Sequence, residues 1–247
     1  EIQPAGYLQG CQRAGSHGGN ASVDDVISGI AIPAGQALTD YDFGELPPSS
    51  LSGYVFQDGA LVRTLTGRPP DDIWQQRDGL RTSDDRPLGG VVLELRDALT
   101  GQPVTGERAL PGTYGTGAIV AVTDAKGYYA FRGLPPGVYD VIEIQPTGLY
   151  DGLDTPGTTG GAAFNPGVAT DSDLRDGRSH YPQYDAVVSI PLGAGVASQE
   201  NNFSELAIGR LQVVPPPDPP RSLPPQPVPA QIAVPRLEPA PILVPAV

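Results

Sequence analysis

Short runs in which apolar and polar residues alternate dominate the pattern of this chain. Val91, Leu93 and Leu95 take every second position of GGVVLELRD, which is the period of a half-buried β-strand. Runs of comparable strand character are residues 51–58, 89–97, 117–124, 127–133, 137–145, 186–193 and 201–213. No window keeps a 3.6-residue apolar period, and Gly or Pro interrupts most stretches of a dozen residues. The pattern therefore predicts an all-β protein.

Turn signals separate the predicted strands. TDAKGYY (residues 123–129) predicts a tight hairpin turn, and GLPPG (residues 133–137) predicts a turn set by proline and glycine. The chain contains 32 glycines and 29 prolines, which fits many turns and short strands. Seven short strands punctuated in this way predict a β-sandwich.

Several phrases occur twice. EIQP at residue 1 returns at residue 143, IAIPAG (30–35) resembles IPLGAG (190–195), and YDFGEL (41–46) resembles NNFSEL (201–206). The later phrases are separated more widely than the first, so the second copy carries extra residues, around NPGVATDSDLRDGRSHYPQ. An internal repeat with loop insertions is typical of tandem modules.

The two copies predict three regions in the chain. Residues 1–48 hold the C-terminal part of a repeat, residues 49–213 hold a complete repeat, and residues 214–247 form a proline-rich extended tail. Because the few strands of the first copy cannot close a core, we expect an upstream segment or another chain to complete it. The apolar end of the tail, from Gln231 to Val247, is expected to lie along such an open surface of a neighbouring subunit.

Charge and composition narrow the function. A formal net charge of −13 argues against nucleic acids and anionic membrane surfaces as partners, and fits a soluble extracellular surface or cation binding. The single cysteine, Cys11, excludes an internal disulfide framework. No apolar run is long enough for a transmembrane helix, so no membrane insertion is expected. A secreted protein would be represented here by a mature or excised form.

Two long phrases resemble a known family. TDAKGYYAFRGLPPGVYDVIEIQPTGLYDGLDTPGTTGG (123–161) and ISGIAIPAGQALTDYDFGEL (27–46) resemble the B-type repeats of bacterial collagen adhesins and serine-aspartate-repeat surface proteins, the Cna-B and SdrD B-like group. The resemblance implies transthyretin-like or immunoglobulin-like β-sandwich repeats that serve as stalk, spacer or fibre modules on the cell surface.

The resemblance also implies a calcium loop after the first strand. Asp58 matches its first ligand, and RDGLRTSDD (77–85) matches its later half, although the insertion GALVRTLTGRPPDDIWQQ separates the two parts. The implied ligands of Ca²⁺ are Asp58, Asp78, the Leu80 carbonyl, Thr82 and Asp85. The alternative is a solvated acidic loop. DSDLRD (171–176) is a second, weaker candidate for calcium binding.

Some members of the resembled family carry a Lys–Asn isopeptide bond assisted by a buried glutamate. Glu143 and Glu1 lie near that position, but the only lysine is Lys126, in a turn. We therefore expect no such bond, and expect Glu143 to make hydrogen bonds or an arginine contact, because a lone buried carboxylate is costly.

No catalytic constellation is present in the sequence. His17 and His180 are the only histidines, and no Ser-His-Asp order, zinc motif or phosphate loop occurs. The sequence therefore predicts a non-enzymatic structural module of a secreted bacterial cell-surface stalk, matrix or filament, which associates with neighbouring subunits or adjacent repeats.

Two alternative functions stay open. One is an adhesin that binds a carbohydrate or matrix protein through aromatic residues in its insertions. The aromatic candidates are Trp74, Tyr114, Tyr181 and Tyr184. The other, more distant alternative is an accessory domain of a secreted enzyme.

Overall fold

The chain folds into short β-strands joined by tight turns, as its alternating pattern and its many glycines and prolines require. The computed structural model describes residues 1–165 and 185–212; DSDLRD, His180, Tyr181, Tyr184 and the tail beyond residue 212 lie outside the described residues. The strands are β1 (Leu8–Arg13), β2 (Asn20–Val23), β3 (Val26–Ser28), β4 (Asp42–Leu46), β5 (Ser49–Gln57), β6 (Val62–Thr64), β7 (Arg86–Pro87), β8 (Val92–Asp97), β9 (Val120–Val122), β10 (Tyr128–Leu134), β11 (Gly137–Glu143), β12 (Tyr150–Asp151), β13 (Ala162–Ala163), β14 (Ala186–Leu192), β15 (Ala197–Ser198), β16 (Phe203–Leu206) and β17 (Ile208–Arg210). Two 3₁₀ turns span Ile73–Gln75 and Gly106–Arg108.

Two main sheets make up the complete module, and the short β6–β17 pair forms a separate two-stranded sheet. One is antiparallel, with the strand order β13-β14-β11-β8-β9. The other has the order β10-β5-β16-β12, and β7 and β15 also pair with β5. The all-β prediction is therefore confirmed.

Apolar side chains from both sheets fill the space between them. The alternation predicted for β8 is confirmed, because Leu93 and Leu95 are fully buried while Glu94 is only half-buried. The largest fully buried side chains of the core are Leu51, Leu93, Leu95, Tyr129, Phe131, Leu134, Tyr139, Ile190 and Phe203. The Tyr129 hydroxyl donates to the carbonyl of Asn201 at 2.8 Å, so its polar atom is satisfied inside this core. The module is thus a β-sandwich.

The first and last long strands of the module lie side by side and run in the same direction. In β5 and β16, Val55 faces Phe203 and Gln57 faces Glu205 in parallel register. β15 continues this parallel pairing at Leu51. Because parallel strands share one direction, the chain enters the module at one end of this pair and leaves it at the other end.

The turn after β9 differs from the predicted hairpin. Asp124 closes it, since its Oδ1 accepts hydrogen bonds from the amides of Lys126 at 2.7 Å and Tyr128 at 3.0 Å. However, β9 pairs with β8 in one sheet, whereas β10 pairs with β5 in the other. The turn therefore carries the chain from one sheet to the other, which the local sequence of a turn does not specify.

The first copy has the strand pairing of the end of the complete module. Leu8 in β1 faces Leu46 in β4, as Tyr150 faces Leu206. The β2–β3 pair of the first copy corresponds in the same way to the β13–β14 pair. Residues Glu1–Leu211 form one compact unit, and a domain boundary near residue 48 stays a prediction.

Apolar residues of the first copy are exposed where their equivalents are buried. Phe43 is 37% exposed, whereas Phe203, which takes the same place in the second copy, is fully buried. Val26 and Ile32 are also exposed. The first copy therefore presents an apolar surface among the described residues.

This pair of phenylalanines gives a matched test of the core. Phe203→Ala should lower the free energy of unfolding by about 3–5 kcal/mol, because it removes a fully buried aromatic ring. Phe43→Ala should cost less than about 1 kcal/mol in the same chain, because its ring is already partly in water. Urea unfolding of both variants measures the difference, and equal losses would contradict the assigned core.

Candidate functional site

The structure brings together the two halves of the predicted calcium loop. Asp58 follows β5, and its Oδ2 accepts a hydrogen bond from the Gly79 amide at 2.9 Å. Oδ1 of Asp85 accepts one from the Gly59 amide at 2.8 Å. The insertion between the halves forms β6, which pairs with β17, and one 3₁₀ turn. The insertion therefore leaves the two halves of the loop in contact.

The side chains of this loop are bonded mainly to backbone amides. Oδ1 of Asp78 accepts from the Leu80 amide at 3.0 Å, and Thr82 donates through both its amide and its hydroxyl to Oδ2 of Asp85. Burial raises the pKa of the Asp58 carboxyl, against the opposing effect of the Gly79 amide. Among the described residues, none of the carboxylate triads that approach within 4.8 Å includes this loop. Calcium at the loop stays a prediction.

The two described loop aromatics pack within the protein. The Tyr114 hydroxyl accepts a hydrogen bond from the Arg132 amide at 2.7 Å, and its ring contacts the core. Trp74 is half-buried in a 3₁₀ turn. Neither forms an open platform of stacked rings, so the described aromatics give no support to carbohydrate binding.

Five acidic side chains that no sequence motif had grouped lie together at one end of the sandwich. We call them the acidic cluster. They are Glu143, Asp151, Asp154, Asp185 and Glu205. Glu143 ends β11, Asp185 precedes β14, and Glu205 lies in β16, so the two sheets both contribute. The cluster lies at the end where the chain leaves the β5–β16 pair.

The acidic cluster consists of two triads that share one residue. Carboxylate oxygens of Glu143, Asp185 and Glu205 lie within 4.8 Å of one another, and so do those of Asp151, Asp154 and Asp185. Glu143 and Asp154 are 3% exposed, Asp185 is 8% exposed and Glu205 is fully buried. Asp185 therefore joins the two triads in a largely buried site.

Few donors point at these carboxylates. Gln145 donates to Oε2 of Glu205 at 2.5 Å, and the Ser204 amide donates to Oδ1 of Asp154 at 3.2 Å. The buried oxygens of the cluster that accept no hydrogen bond from an N–H or hydroxyl donor are Glu143 Oε1, Glu143 Oε2, Asp151 Oδ1, Asp154 Oδ2, Asp185 Oδ1, Asp185 Oδ2 and Glu205 Oε1. The cluster is thus rich in unsatisfied acceptors.

Burial and mutual repulsion disfavour ionisation of the cluster. Burial raises the pKa of Glu143 and of Asp154 well above the usual range, and the neighbouring carboxylates raise both further. Burial likewise raises the pKa of Asp185 to about 6, that of Asp151 to about 8 and that of Glu205 to about 9. Several carboxyl groups must therefore share protons or bind a cation at neutral pH.

Glu143 was expected to make hydrogen bonds or an arginine contact, and its side chain shares a hydrogen bond with the carboxyl group of Glu205 rather than contacting a described arginine. Its nearest charged neighbours are Asp185 and Glu205. None of the ion pairs formed by the described residues involves the acidic cluster. The family resemblance drew attention to Glu143 and Glu1, whereas the fold gathers four more acids from distant positions around Glu143.

The first copy repeats one of the two triads. Glu1, Asp25 and Glu45 also have carboxylate oxygens within 4.8 Å of one another. Gln3 donates to Oε2 of Glu45 at 2.5 Å, as Gln145 does to Glu205. When the two EIQP phrases are aligned, the places of Asp151 and Asp154 are taken in the first copy by Gln9 and Gln12. The triad that includes Glu205 thus belongs to the repeat, whereas the other two acids are specific to the second copy.

The repeat carried a signal for this site. The glutamate of EIQP and the glutamate of FGEL or FSEL occur in both copies at matching positions. Their contact becomes visible only when β11 and β16, which lie in different sheets, meet at one end of the sandwich.

Comparisons with known proteins give remote structural likenesses. No protein-family model matches, and no curated protein gives a significant match. The major pilin SpaD of Corynebacterium diphtheriae is 20% identical, with a TM-score of 0.25 over 65% of this chain and 31% of that one. The minor pilin GBS52 of Streptococcus agalactiae is 14% identical, with a TM-score of 0.34 over 74% of this chain and 61% of that one. The shaft pilin spaA of Lactobacillus rhamnosus GG is 14% identical, with a TM-score of 0.26 over 66% of this chain and 51% of that one.

This chain spans less than two thirds of the length of each of these three pilins. The superpositions are partial, so the fold assignment rests on the sheets described above.

The described part of the chain contains no helix of the length and hydropathy that a bilayer span requires.

The raised pKa values predict how stability depends on pH in chelator-treated protein. Between about pH 5 and pH 9 the folded state binds more protons than the unfolded chain, whose carboxyl groups titrate near pH 4. The free energy of unfolding should therefore fall as pH rises, by up to about 1.4 kcal/mol per pH unit for each additional proton. The ionisable groups that face one another in this part of the sandwich are the five acids and Tyr129. Burial raises the pKa of the Tyr129 hydroxyl.

Chemical unfolding at several pH values in the presence of a chelator measures this dependence. Asp151→Asn should make the slope shallower, whereas the exposed Asp72→Asn should leave it unchanged. A stability that stays level or rises through this range would contradict the assigned burial of the cluster.

Proposed function

We propose that this chain is a structural repeat module of a secreted bacterial cell-surface stalk, matrix or filament protein. The parallel pairing of β5 with β16 carries the proposal. The chain enters the module beside Ser49 and leaves it beside Leu206, at opposite ends of this pair. Tandem modules connected in this way lie end to end, which suits a spacer.

The same pairing suits a module that bears tension. A force applied along the chain pulls β5 and β16 in opposite directions along their lengths, so their hydrogen bonds are loaded together rather than one after another. β15 lengthens the parallel contact at Ser50 and Leu51. The core rings of Phe203 and Tyr129 lie against this pair and oppose sliding.

The first copy supports the proposal that repeats are joined in series. It is connected directly to β5, and its pairing matches that of the second copy. At the junction the Gly195 amide of the second copy donates to the carbonyl of Pro47 in the first copy at 2.9 Å. Adjacent repeats therefore touch as well as follow one another.

Association between subunits is part of the proposal. The exposed apolar residues of the first copy, Val26, Ile32 and Phe43, offer a surface for it. The apolar tail from Gln231 to Val247 is the proposed occupant on the basis of its sequence.

Calcium binding at the loop of Asp58, Asp78, Leu80, Thr82 and Asp85 is a separate proposal. A melting temperature that falls on chelation in the wild-type chain, and no longer does so in Asp78→Ala, would support it.

Stretching single molecules of the full chain by its two ends tests the structural role. We expect one cooperative unfolding event that releases roughly 55 nm for residues 49–211, at about 3.4 Å per residue. The release also requires that no isopeptide bond joins the first and last strands, so the intact mass should show no loss of one ammonia. Extension without measurable resistance would overturn the proposal that the module bears tension.

Deleting residues 231–247 tests the association. The deletion should convert assemblies of the full chain to monomers, measured by light scattering, while the circular dichroism of the β-sandwich is retained. Replacing the exposed Phe43 by Ser should weaken assembly in the same direction. Assembly of the shortened chain at the level of the full chain would contradict the role given to the tail.

A further inference from the structure

We propose that the acidic cluster of Glu143, Asp151, Asp154, Asp185 and Glu205 is a binding site for a divalent cation, calcium in preference to magnesium. The site differs from the loop of Asp58 and Asp78, because none of its carboxylates comes from that loop. It also goes beyond the proposed structural role, which does not depend on it.

The arrangement of the carboxylates fits a cation. Calcium takes six to eight oxygen ligands at about 2.3–2.6 Å. In each triad one oxygen from each of three carboxylates lies within 4.8 Å of the other two, which is close enough for a single calcium ion to contact all three. Each triad supplies three carboxylate ligands, and bidentate carboxylates or water can complete the shell.

Buried acceptors that receive no N–H or hydroxyl donor support the site. The carboxyl groups of Glu143 and Glu205, and those of Asp154 and Asp185, also lie at hydrogen-bonding distance, so a shared proton is the alternative that the test must separate from a cation. No N–H or hydroxyl group donates to either carboxylate oxygen of Glu143, although the residue is only 3% exposed. Both oxygens of Asp185 are in the same state. A buried carboxylate without donors is strongly unfavourable, and several in contact repel one another as well. A bound cation removes both costs at once.

The chemistry of the ligands selects the ion. The cluster offers only carboxylate oxygens, with no histidine or cysteine in either triad, which favours a hard cation over zinc or copper. Magnesium requires a small octahedral shell and usually retains several waters. A crowded set of buried carboxylates instead fits the larger and more variable coordination sphere of calcium.

The same fold contains a matched comparison in the first copy. Glu1, Asp25 and Glu45 repeat one triad, but Glu1 is exposed and Gln9 and Gln12 replace the two acids of the other triad. The first copy thus has fewer charges and more access to water. The proposal is therefore confined to the second copy, and Asp25 provides a control for Asp185.

A cation at this place would join elements that are distant in sequence. Glu143 belongs to the five-stranded sheet, Glu205 and Asp151 belong to the other sheet, and Asp154 follows in the segment between β12 and β13. Coordination by all of them would hold the two sheets together where the chain leaves the module.

The test uses the full chain, stripped with a chelator and then titrated with calcium chloride in a calorimeter at about pH 7.5. We expect saturable binding and, at a free calcium concentration about 100-fold above Kd, a rise in Tm of about 5–10 °C. Magnesium at the same concentration should give a much smaller rise. No saturable heat in the wild-type chain would overturn the proposal and would leave carboxyl groups that share protons as the explanation of the cluster.

Substitutions locate the site. Asp185→Asn should weaken calcium binding at least about 10-fold and remove most of the rise in Tm. The matched Asp25→Asn and the loop variant Asp78→Ala should bind calcium at the cluster with the affinity of the wild-type chain. Retention of the full wild-type response by Asp185→Asn, or its loss only in Asp78→Ala, would overturn the proposal.

A second variant keeps the test decisive if Asp185→Asn fails to fold. Glu143→Gln keeps the shape of the side chain and removes one charge, and it should also weaken calcium binding by at least about 10-fold. Circular dichroism of each variant checks that the β-sandwich is formed. Unchanged affinity in a folded Glu143→Gln protein would count against the site.

Discussion

The parallel pairing of β5 with β16 is the constraint on which the rest of the module depends. β5 also pairs with β10, β7 and β15, so most of one sheet is organised around it. Its inward side chains, Leu51 and Val55, meet the core of the facing sheet. The pairing also places the two ends of the module apart, which is the geometric basis of the proposed end-to-end arrangement.

A consequence of this pairing is that Glu205 is carried to the end of the sandwich where Glu143 and Asp185 also lie. Hydrophobic burial of the preceding Phe203 fixes the register of β16, and this register in turn fixes the position of Glu205. β16 therefore completes the hydrophobic core with Phe203 and at the same time brings the acidic Glu205 into a buried site. That conflict is resolved either by protons shared among the carboxyl groups or by a cation.

Much of the fold was predictable from local pattern, because the alternation in β8 and the turn residues act over a few positions. The repeat indicated which segments of the two copies correspond. The structure agrees, because Leu8 pairs with Leu46 in the first copy as Tyr150 pairs with Leu206 in the second. The change of sheet at Asp124 was not predictable, because the same local turn sequence can join two strands of one sheet or two strands of different sheets. The acidic cluster was missed for a related reason: its members are spread along the sequence from Glu143 to Glu205, and only long-range pairing assembles them.

The most direct test is a crystal structure of the full chain grown with calcium near pH 8, with anomalous diffraction used to locate the ions. We predict an anomalous peak within coordination distance of Asp185, with carboxylate oxygens of Glu143 or Asp154 around it, in a sandwich in which β16 runs parallel to β5. The absence of an anomalous peak at the cluster in these crystals would contradict the cation site. An antiparallel or distant β16 would contradict the fold on which the site depends.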